Sequence, residues 1–597
     1  MPVLRTLILL VSLLVVSGVL HAQGAPLPVN EEGYDLVQRL YNRYGYVGFT
    51  APAADVNLRP ASRGDLVRLV KTYDALHGGD WSAVDRYRVD RFYQDNNEWL
   101  SLDPFASDTD GDRAPYYLGE NFAVAAEGSP LYQRSRRPLF NILYETPAFL
   151  LQHNRDDFYL RVNPVLDFRY GKQANEEQDY FYNRRGLRLR AGIDDRFFLH
   201  FEILETQAGL PNYLVDYFRQ RRALPGAGFV KNEFSLDLAN VTQGYDFLNG
   251  AGYLSVDISR HVGARVGYGQ HFIGDGERSL ILSDFSNNYP FLEINWRIWK
   301  FHYRNLFAEL TQGPVFDTAT GLPLPKKYLA AHYLSINLGQ RLSVGLYEAV
   351  VLSREDGFDL AYLNPVILYR TVEGSIGSPD NVLIGLTTSY KLPFRTTIYG
   401  QFVLDEFKFD ELFIERRGWW ANKWAYQIGL RHTDLLGIDQ LDVVVERNVA
   451  RPFVYTHDGP SSYTQVVNPL AHPLGANFRE NLVGFDYRPL PRLHLSGRAY
   501  LIEQGESTAD RVIGENIFQS SDLRPADKTY GNEIGQGIGY TNTILQLRAG
   551  YELKPNLWLE AEYFSRNKDS ESSDRDLQTT LVNAGVRWNI ARRREAF

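Results

Sequence analysis

Chemistry in this 597-residue chain must come from oxygen, nitrogen and aromatic side chains, because it contains no Cys and a single Met. Disulfides, thiol nucleophiles and thiol-bound metals are excluded at once. Asp108-Thr109-Asp110-Gly111-Asp112 alternates carboxylates as a calcium loop does. An EF-hand needs Gly at the sixth position and Glu at the twelfth, where Arg113 and Gly119 stand instead, so the run reads as a solvated acidic linker. Gly267-Tyr268-Gly269-Gln270-His271 and Gly274-Asp275-Gly276 are dense in glycine, but no Gly-Lys-Ser/Thr follows. They read as a rim loop, not a phosphate cradle. His432, His457 and His472 lack the close spacing of a zinc site, and no Ser sits in a nucleophile elbow. No catalytic residue, metal or cofactor is expected.

What remains is the chemistry of sugar recognition. Arg416-Arg417-Gly418-Trp419-Trp420-Ala421-Asn422-Lys423 and Asn448-Val449-Ala450-Arg451-Pro452-Phe453-Val454-Tyr455-Thr456-His457 both fall in long polar connections. Flat aromatic faces stack on the C–H faces of sugars, while amides, guanidinium groups and imidazoles hydrogen-bond to hydroxyls. The candidate ligand residues are therefore Trp419, Trp420, Asn422, Arg451, Tyr455, His457 and His472. The competing reading places Trp419, Trp420 and Trp424 in an interfacial girdle at headgroup level.

The elements that must position these loops are strands. From about residue 157 onward, stretches alternating apolar and polar residues recur, as in Gly252-Tyr253-Leu254-Ser255-Val256-Asp257-Ile258. Tight turns such as Lys391-Leu392-Pro393, Arg488-Pro489-Leu490-Pro491 and Lys554-Pro555-Asn556 take turns with long hydrophilic connections. That rhythm is expected of an all-β transmembrane barrel of about 18 antiparallel strands, with tight periplasmic turns and long outer loops. Aromatic residues make up 14% of the chain, which suits the girdles of such a barrel better than a soluble enzyme. The net charge of -9 gives no footprint for nucleic acid. A soluble propeller or sandwich would show polar outward faces and no such loop rhythm.

Four regions follow. Residues 1–22 read as an export signal, with Arg5 ahead of an apolar run and Ala22 at the cleavage point. Residues 23–105 read as a small periplasmic helical bundle, with Ser62 and Ser82 as helix caps. Residues 106–156 form a connector, and 157–597 the outer-membrane barrel. Inward strand positions carry both signs of charge: Arg188, Arg190, Glu202, Arg265, Glu293, Arg297, Glu446, Arg548, Glu552 and Arg587. Opposite charges facing across strands knit an interior together. Loops around 205–242, 353–381, 448–479 and 503–541 are long enough to fold inward, so an occluded barrel is expected.

Several segments also resemble a known family. Ser343-Val344-Gly345-Leu346-Tyr347-Glu348-Ala349-Val350, Tyr362-Leu363-Asn364-Pro365, Gly377-Ser378-Pro379-Asp380-Asn381, Leu404-Asp405-Glu406-Phe407, Glu446-Arg447-Asn448 and Leu470-Ala471-His472-Pro473-Leu474-Gly475-Ala476-Asn477-Phe478 are similar to the RemB-type gliding-motility proteins of Bacteroidetes, relatives of the Wzi capsule-assembly family. The resemblance implies an outer-membrane barrel of about this strand number with a periplasmic helical bundle. The Wzi side implies a lectin-like hold on capsular polysaccharide without catalysis, and the RemB side a surface component linked to gliding. Wzi relatives tend to be Trp-rich near the Gly274-Asp275-Gly276 loop, where this chain has His271-Phe272-Ile273, so no site residue is carried over.

The expected function is a non-enzymatic outer-membrane barrel of a Gram-negative bacterium that binds or organises surface polysaccharide, serving gliding or adhesion. A solute-specific channel and a structural part of a surface motility or secretion complex are the alternatives. The expected partners are outer-membrane lipid, surface polysaccharide and a periplasmic or motility-complex protein docked on the bundle.

Overall fold

Period-two sequence becomes a two-sided wall because successive side chains of a strand point to opposite faces. In Phe197–Gly209, Phe197, Leu199, Phe201 and Ile203 remain exposed, while Phe198 and His200 are buried. The computed structural model describes residues 25–46, 56–100 and 148–592, apart from 156, 195, 228, 260, 314–323, 355–356, 367, 377–379, 458 and 509. The expected signal, the acidic run at 108–112 and most of the connector lie outside the described residues.

Eighteen strands, from Phe158–Gln173 to Leu577–Trp588, pair in chain order as one antiparallel sheet. The last strand pairs with the first, Leu581 opposite Gln173 and Trp588 opposite Leu166, and so closes the barrel. The short strand Leu151–Arg155 continues that seam along Phe158–Val162. Closure leaves no open edge. Tight turns (299–300, 491–492, 555–556) mark one end of the cylinder and long segments (210–240, 353–380, 451–477, 507–537) the other.

Three helices, α1 (Gly33–Tyr44), α2 (Arg63–His77) and α3 (Ala83–Asp95), pack around Tyr34, Val37, Leu40, Leu66, Val70, Val89 and Trp99. Ser62 and Ser82 cap α2 and α3, their hydroxyls accepting from the amides of Asp65 (3.3 Å) and Asp85 (3.2 Å). This bundle is wedged into the tight-turn mouth of the barrel. Arg39 of α1 reaches Asp85 of α3 (3.0 Å) and, on the barrel, Asp434 (2.6 Å) and Asp442 (2.5 Å). Deeper in, the carbonyl of Pro60 accepts from Arg304 at 3.0 Å.

The lumen is filled above the bundle by residues 270–288. Phe272–Ile273 pairs with Leu58–Arg59 of the bundle region. The Gln401 amide group donates to the Ile273 carbonyl (2.8 Å), and the amides of Glu277 and Arg278 donate to the Glu446 carboxylate (2.9 and 3.3 Å). Gly276 leaves no Cβ in the path of that carboxylate. The glycine-rich stretch is therefore a plug, not the rim loop expected from sequence. Its buried His271 bonds to Glu293 (2.9 Å), which also pairs with Arg265 (2.9 Å). Above the plug, residues 451–477 form a cap. Ser283 donates its amide to Leu470 (2.8 Å), and the Tyr455 hydroxyl donates to Leu280 (2.6 Å).

Two of the other long loops also turn inward. Helix α4 (Asn212–Arg221) stacks Tyr213 on the lumenal Phe564, ring centroids 5.4 Å apart, and the 507–537 loop meets the cap where Phe453 donates its amide to Gly514 (2.8 Å). Residues 353–380 do not turn inward. They lie on the outside of the wall against Phe307, Ala330, Val350 and Val382, because those residues alternate with the lumenal Leu306, Ala331, Ala349 and Leu383.

Arg39→Ala would strip Asp85 and Asp434 of the cation they share and leave Arg43 and Arg395 to hold them, a loss of roughly 1–3 kcal/mol. Limited proteolysis should then remove the bundle from a barrel that stays intact. Burial alone would raise the Asp85 carboxyl, but Arg39 and Arg43 override it and hold it well below the usual range, and Asp434 is lowered likewise. A depressed carboxylate stabilises the fold above its unfolded value, about 4, and loses that contribution as pH falls towards the folded value. Hydrogen exchange in α1, corrected for intrinsic rates, should therefore show the bundle loosening below about pH 4 and tight at neutral pH.

Candidate functional site

The loop 405–423 is built to hold two indoles at the long-loop end. Its base is closed by two backbone bonds, Asp405 to the Lys423 carbonyl (3.0 Å) and Lys423 to the Glu406 carbonyl (2.8 Å). It is then stitched to the 507–537 loop: Gly531 donates to Arg417 (2.9 Å), Asn532 to Gly418 (3.0 Å) and Trp420 to Thr529 (3.1 Å). Gly418 has φ +70°, and a Cβ there would stand 2.8 Å from the Asn532 nitrogen. Only glycine fits that approach.

The two half-buried indoles meet edge to face, ring centroids 6.3 Å apart. Lys408 sits 4.5 Å from the Trp419 ring, while Arg524 (3.8 Å) and Lys423 (5.1 Å) approach the Trp420 ring. Arg417 lies over Tyr530 at 4.3 Å. Together these residues make an aromatic shelf edged with cations, open to solvent on its rim.

The other sequence candidates divide. Arg451 is half-buried beside the shelf, donating to the Asn532 carbonyl (3.1 Å) and facing Trp424 at 5.9 Å. His457 is 9% exposed, with Glu406 3.9 Å away. Asn422, Tyr455 and His472 are buried rather than facing solvent, Asn422 within the 405–423 loop and the other two within the cap. Asn422 accepts from the Lys408 amide (3.1 Å), Tyr455 pins the plug, and His472 pairs with Glu480 (3.2 Å) while stacking on Phe478. Sequence reasoning missed Lys408, Arg524 and Tyr530. Nothing local marks them, since only the loop-to-loop stitching brings Arg524 and Tyr530 to the tryptophans.

The inward charges find partners in the bundle and plug as well as across strands. Arg188 pairs with Glu31 (2.6 Å) and Glu202 (2.5 Å), Arg190 with Glu98 (2.8 Å), Arg297 with Asp65, and Arg587 with Glu32 (2.9 Å) and Glu560 (3.0 Å). Tyr87 donates to Glu552 (2.6 Å), and Arg548 pairs with Glu562 (2.9 Å). Beneath α4, a cavity of about 60 Å³ remains among Arg169, Arg184, Tyr182, Tyr213 and Phe285. That is room for a few waters, and two larger cavities, of about 140 and 130 Å³, lie beside the bundle around Arg88 and Arg190 and around Tyr253 and Gln270. Among the described residues, no group of three His, Asp or Glu side chains could hold a metal ion.

No protein-family model matches the chain, and no curated protein matches it. Among solved structures, Wzi, an outer-membrane protein involved in group 1 capsule assembly in Escherichia coli and described as a carbohydrate-binding β-barrel, aligns with a TM-score of 0.55 at 13% identity. The alignment covers 95% of this chain and 100% of that one. OprD of Pseudomonas aeruginosa aligns at 0.38 and OccAB2 of Acinetobacter baumannii at 0.39, each over 72% of this chain, with 11% and 10% identity. The likeness to Wzi is one of fold: a closed outer-membrane-type barrel.

Beneath the shelf, the Asp405 carboxylate accepts from the Tyr455 amide (2.8 Å). Burial pushes its carboxyl up to about 7, with Lys423 opposing and Glu406 adding to the shift. A raised carboxyl means that the folded state holds the extra proton between about pH 4 and 7, so stability of the cap falls as pH rises through that window. Hydrogen exchange in residues 451–477, corrected for intrinsic rates, should be slower at pH 5 than at pH 8. Asp405→Asn should abolish the difference.

Proposed function

We propose that this chain is a non-enzymatic barrel of the Gram-negative outer membrane that binds or organises surface polysaccharide through its long-loop end. The tight turns and the bundle then face the periplasm and the long loops face outward, as single-chain barrels of this kind are arranged. The observation that carries the reading is the pairing of a filled lumen with an exposed shelf at Trp419 and Trp420. A barrel whose lumen is occupied by bundle, plug and cap leaves its rim as the open surface for recognition, and indoles flanked by Lys and Arg suit a hydroxyl-rich, charged chain. The fold shared with Wzi supports the same reading, as does the resemblance of the second half of the chain to the capsule-assembly and gliding families.

In this scheme the long-loop end holds polysaccharide at the surface, and gliding or adhesion is the process served. The bundle docks a periplasmic or motility-complex protein through the faces of α2 and α3 turned away from the barrel. The filled lumen argues against a solute-specific channel.

The test is binding of polysaccharide extracted from the producing strain to the purified full chain. A Trp419→Ala/Trp420→Ala double variant should lose at least about tenfold in affinity, or about 1.4 kcal/mol, while keeping the heat-modifiable mobility of a folded barrel. Unchanged binding would remove the shelf from the account. In cells, deletion should release surface-bound polysaccharide into the medium, whereas loss of spreading with polysaccharide retained would favour the motility role.

A further inference from the structure

The outward face of the wall is largely apolar, with polar pairs such as Arg447–Asn481 left open to the surroundings, but one polar row is covered. Asn305, His332 and Glu348 lie directly opposite one another on three adjacent strands, Asn305 against His332 and His332 against Glu348. They alternate with lumenal residues, so all three point away from the lumen. His332 stands midway along Lys326–Leu338, at the depth where a spanning strand meets hydrocarbon. Polar groups left open at that depth are strongly unfavourable.

The segment 353–380 covers them. The Pro365 carbonyl accepts from Asn305 (3.3 Å) and from the Tyr303 hydroxyl. Glu348 accepts the amides of Tyr369 (2.9 Å) and Arg370 (3.1 Å), which open helix α5 (Tyr369–Ile376). The Tyr369 ring packs on His332, centroids 4.0 Å apart. A clasp of Arg354 and Tyr362 on Asp380 (2.6 and 2.7 Å) fastens the two ends of the segment together. The flap presents Leu360, Leu363, Val366 and Leu368 outward, with Asn364 and Arg370 exposed beside them. Next to the covered row, the wall residues Leu346, two positions before Glu348, and Ile384, directly opposite Glu348, are exposed as well.

We infer that the described residues of 353–380 form a membrane-embedded flap, whose Leu360, Leu363, Val366 and Leu368 contact the acyl chains of the leaflet at the long-loop end, while its backbone satisfies Asn305 and Glu348 beneath and the Tyr369 ring covers His332. The inference rests on the barrel lying in a membrane. The polar row explains why an external loop descends along the wall, and the outward leucines and valine explain what it meets there.

The absence of Cys allows single-site spin labelling of the full chain in proteoliposomes. Labels are placed by Val366→Cys and Leu368→Cys on the flap, Leu346→Cys on the bare wall and Asp527→Cys on the exposed loop cap. Flap labels should match the wall label: open to oxygen, closed to water-soluble nickel chelate, and opposite in both respects to Asp527→Cys. Nickel access at 366 and 368, with the wall label lipid-facing, would overturn the flap and leave the membrane reading standing. Nickel access at the wall label would overturn both. Closure of the flap labels to both reagents, as under a protein partner, would also overturn it. Glu348→Ala should undock the flap, seen as a narrowed, mobile spectrum at 366 with the wall label unchanged. A rigid spectrum there would contradict the role given to the polar row.

Discussion

One pairing fixes this molecule: the last strand lies against the first. Until Leu577–Trp588 meets Phe158–Gln173, the sheet has two open edges and its inward charges face water. Once the seam closes and bundle and plug occupy the interior, a charged side chain cut off from water needs a partner, because an unpaired buried charge is far more damaging than a pair is helpful. The bundle supplies Glu31, Glu32, Asp65 and Glu98 to the wall arginines. The plug supplies backbone amides to Glu446. From α1 through Phe272–Ile273 to the cap at Leu470, one hydrogen-bonded column runs the length of the cylinder. In this barrel the charged inner face that water would solvate in an open channel is partnered instead by bundle and plug.

The wall was legible in the sequence because its signal is local. A period of two needs only neighbouring residues, and the capping roles of Ser62 and Ser82 are decided within three positions. The column was not legible, because its partners are remote: Glu446 meets Glu277 and Arg278, and Gln401 meets Ile273. A glycine-rich stretch reads as a surface turn until something shows that Gly276 is needed for close approach. His472 and Tyr455 have the side chains of ligand residues, and only burial against Glu480 and Leu280 shows that they hold the cap. The outer flap left a trace that is clear in hindsight. Asn305, His332 and Glu348 break the apolar register on three neighbouring strands, and a break repeated at one level calls for a cover.

These features separate two tasks that an open barrel combines. In a porin the same lumen selects and conducts. Here the lumen is occupied, and under the proposed function recognition falls to loops held by backbone stitching, with Gly418 admitting the approach that sets Trp419 and Trp420 beside Arg524. A loop pinned at its base and braced by a second loop loses little freedom on meeting a ligand.

The central claim is that the barrel is closed and filled from end to end. Planar-bilayer recording on the purified full-length protein tests it most directly. The account predicts insertion with no steady ionic current beyond the bare membrane. A stable ohmic conductance, at neutral pH and without denaturant, would contradict it.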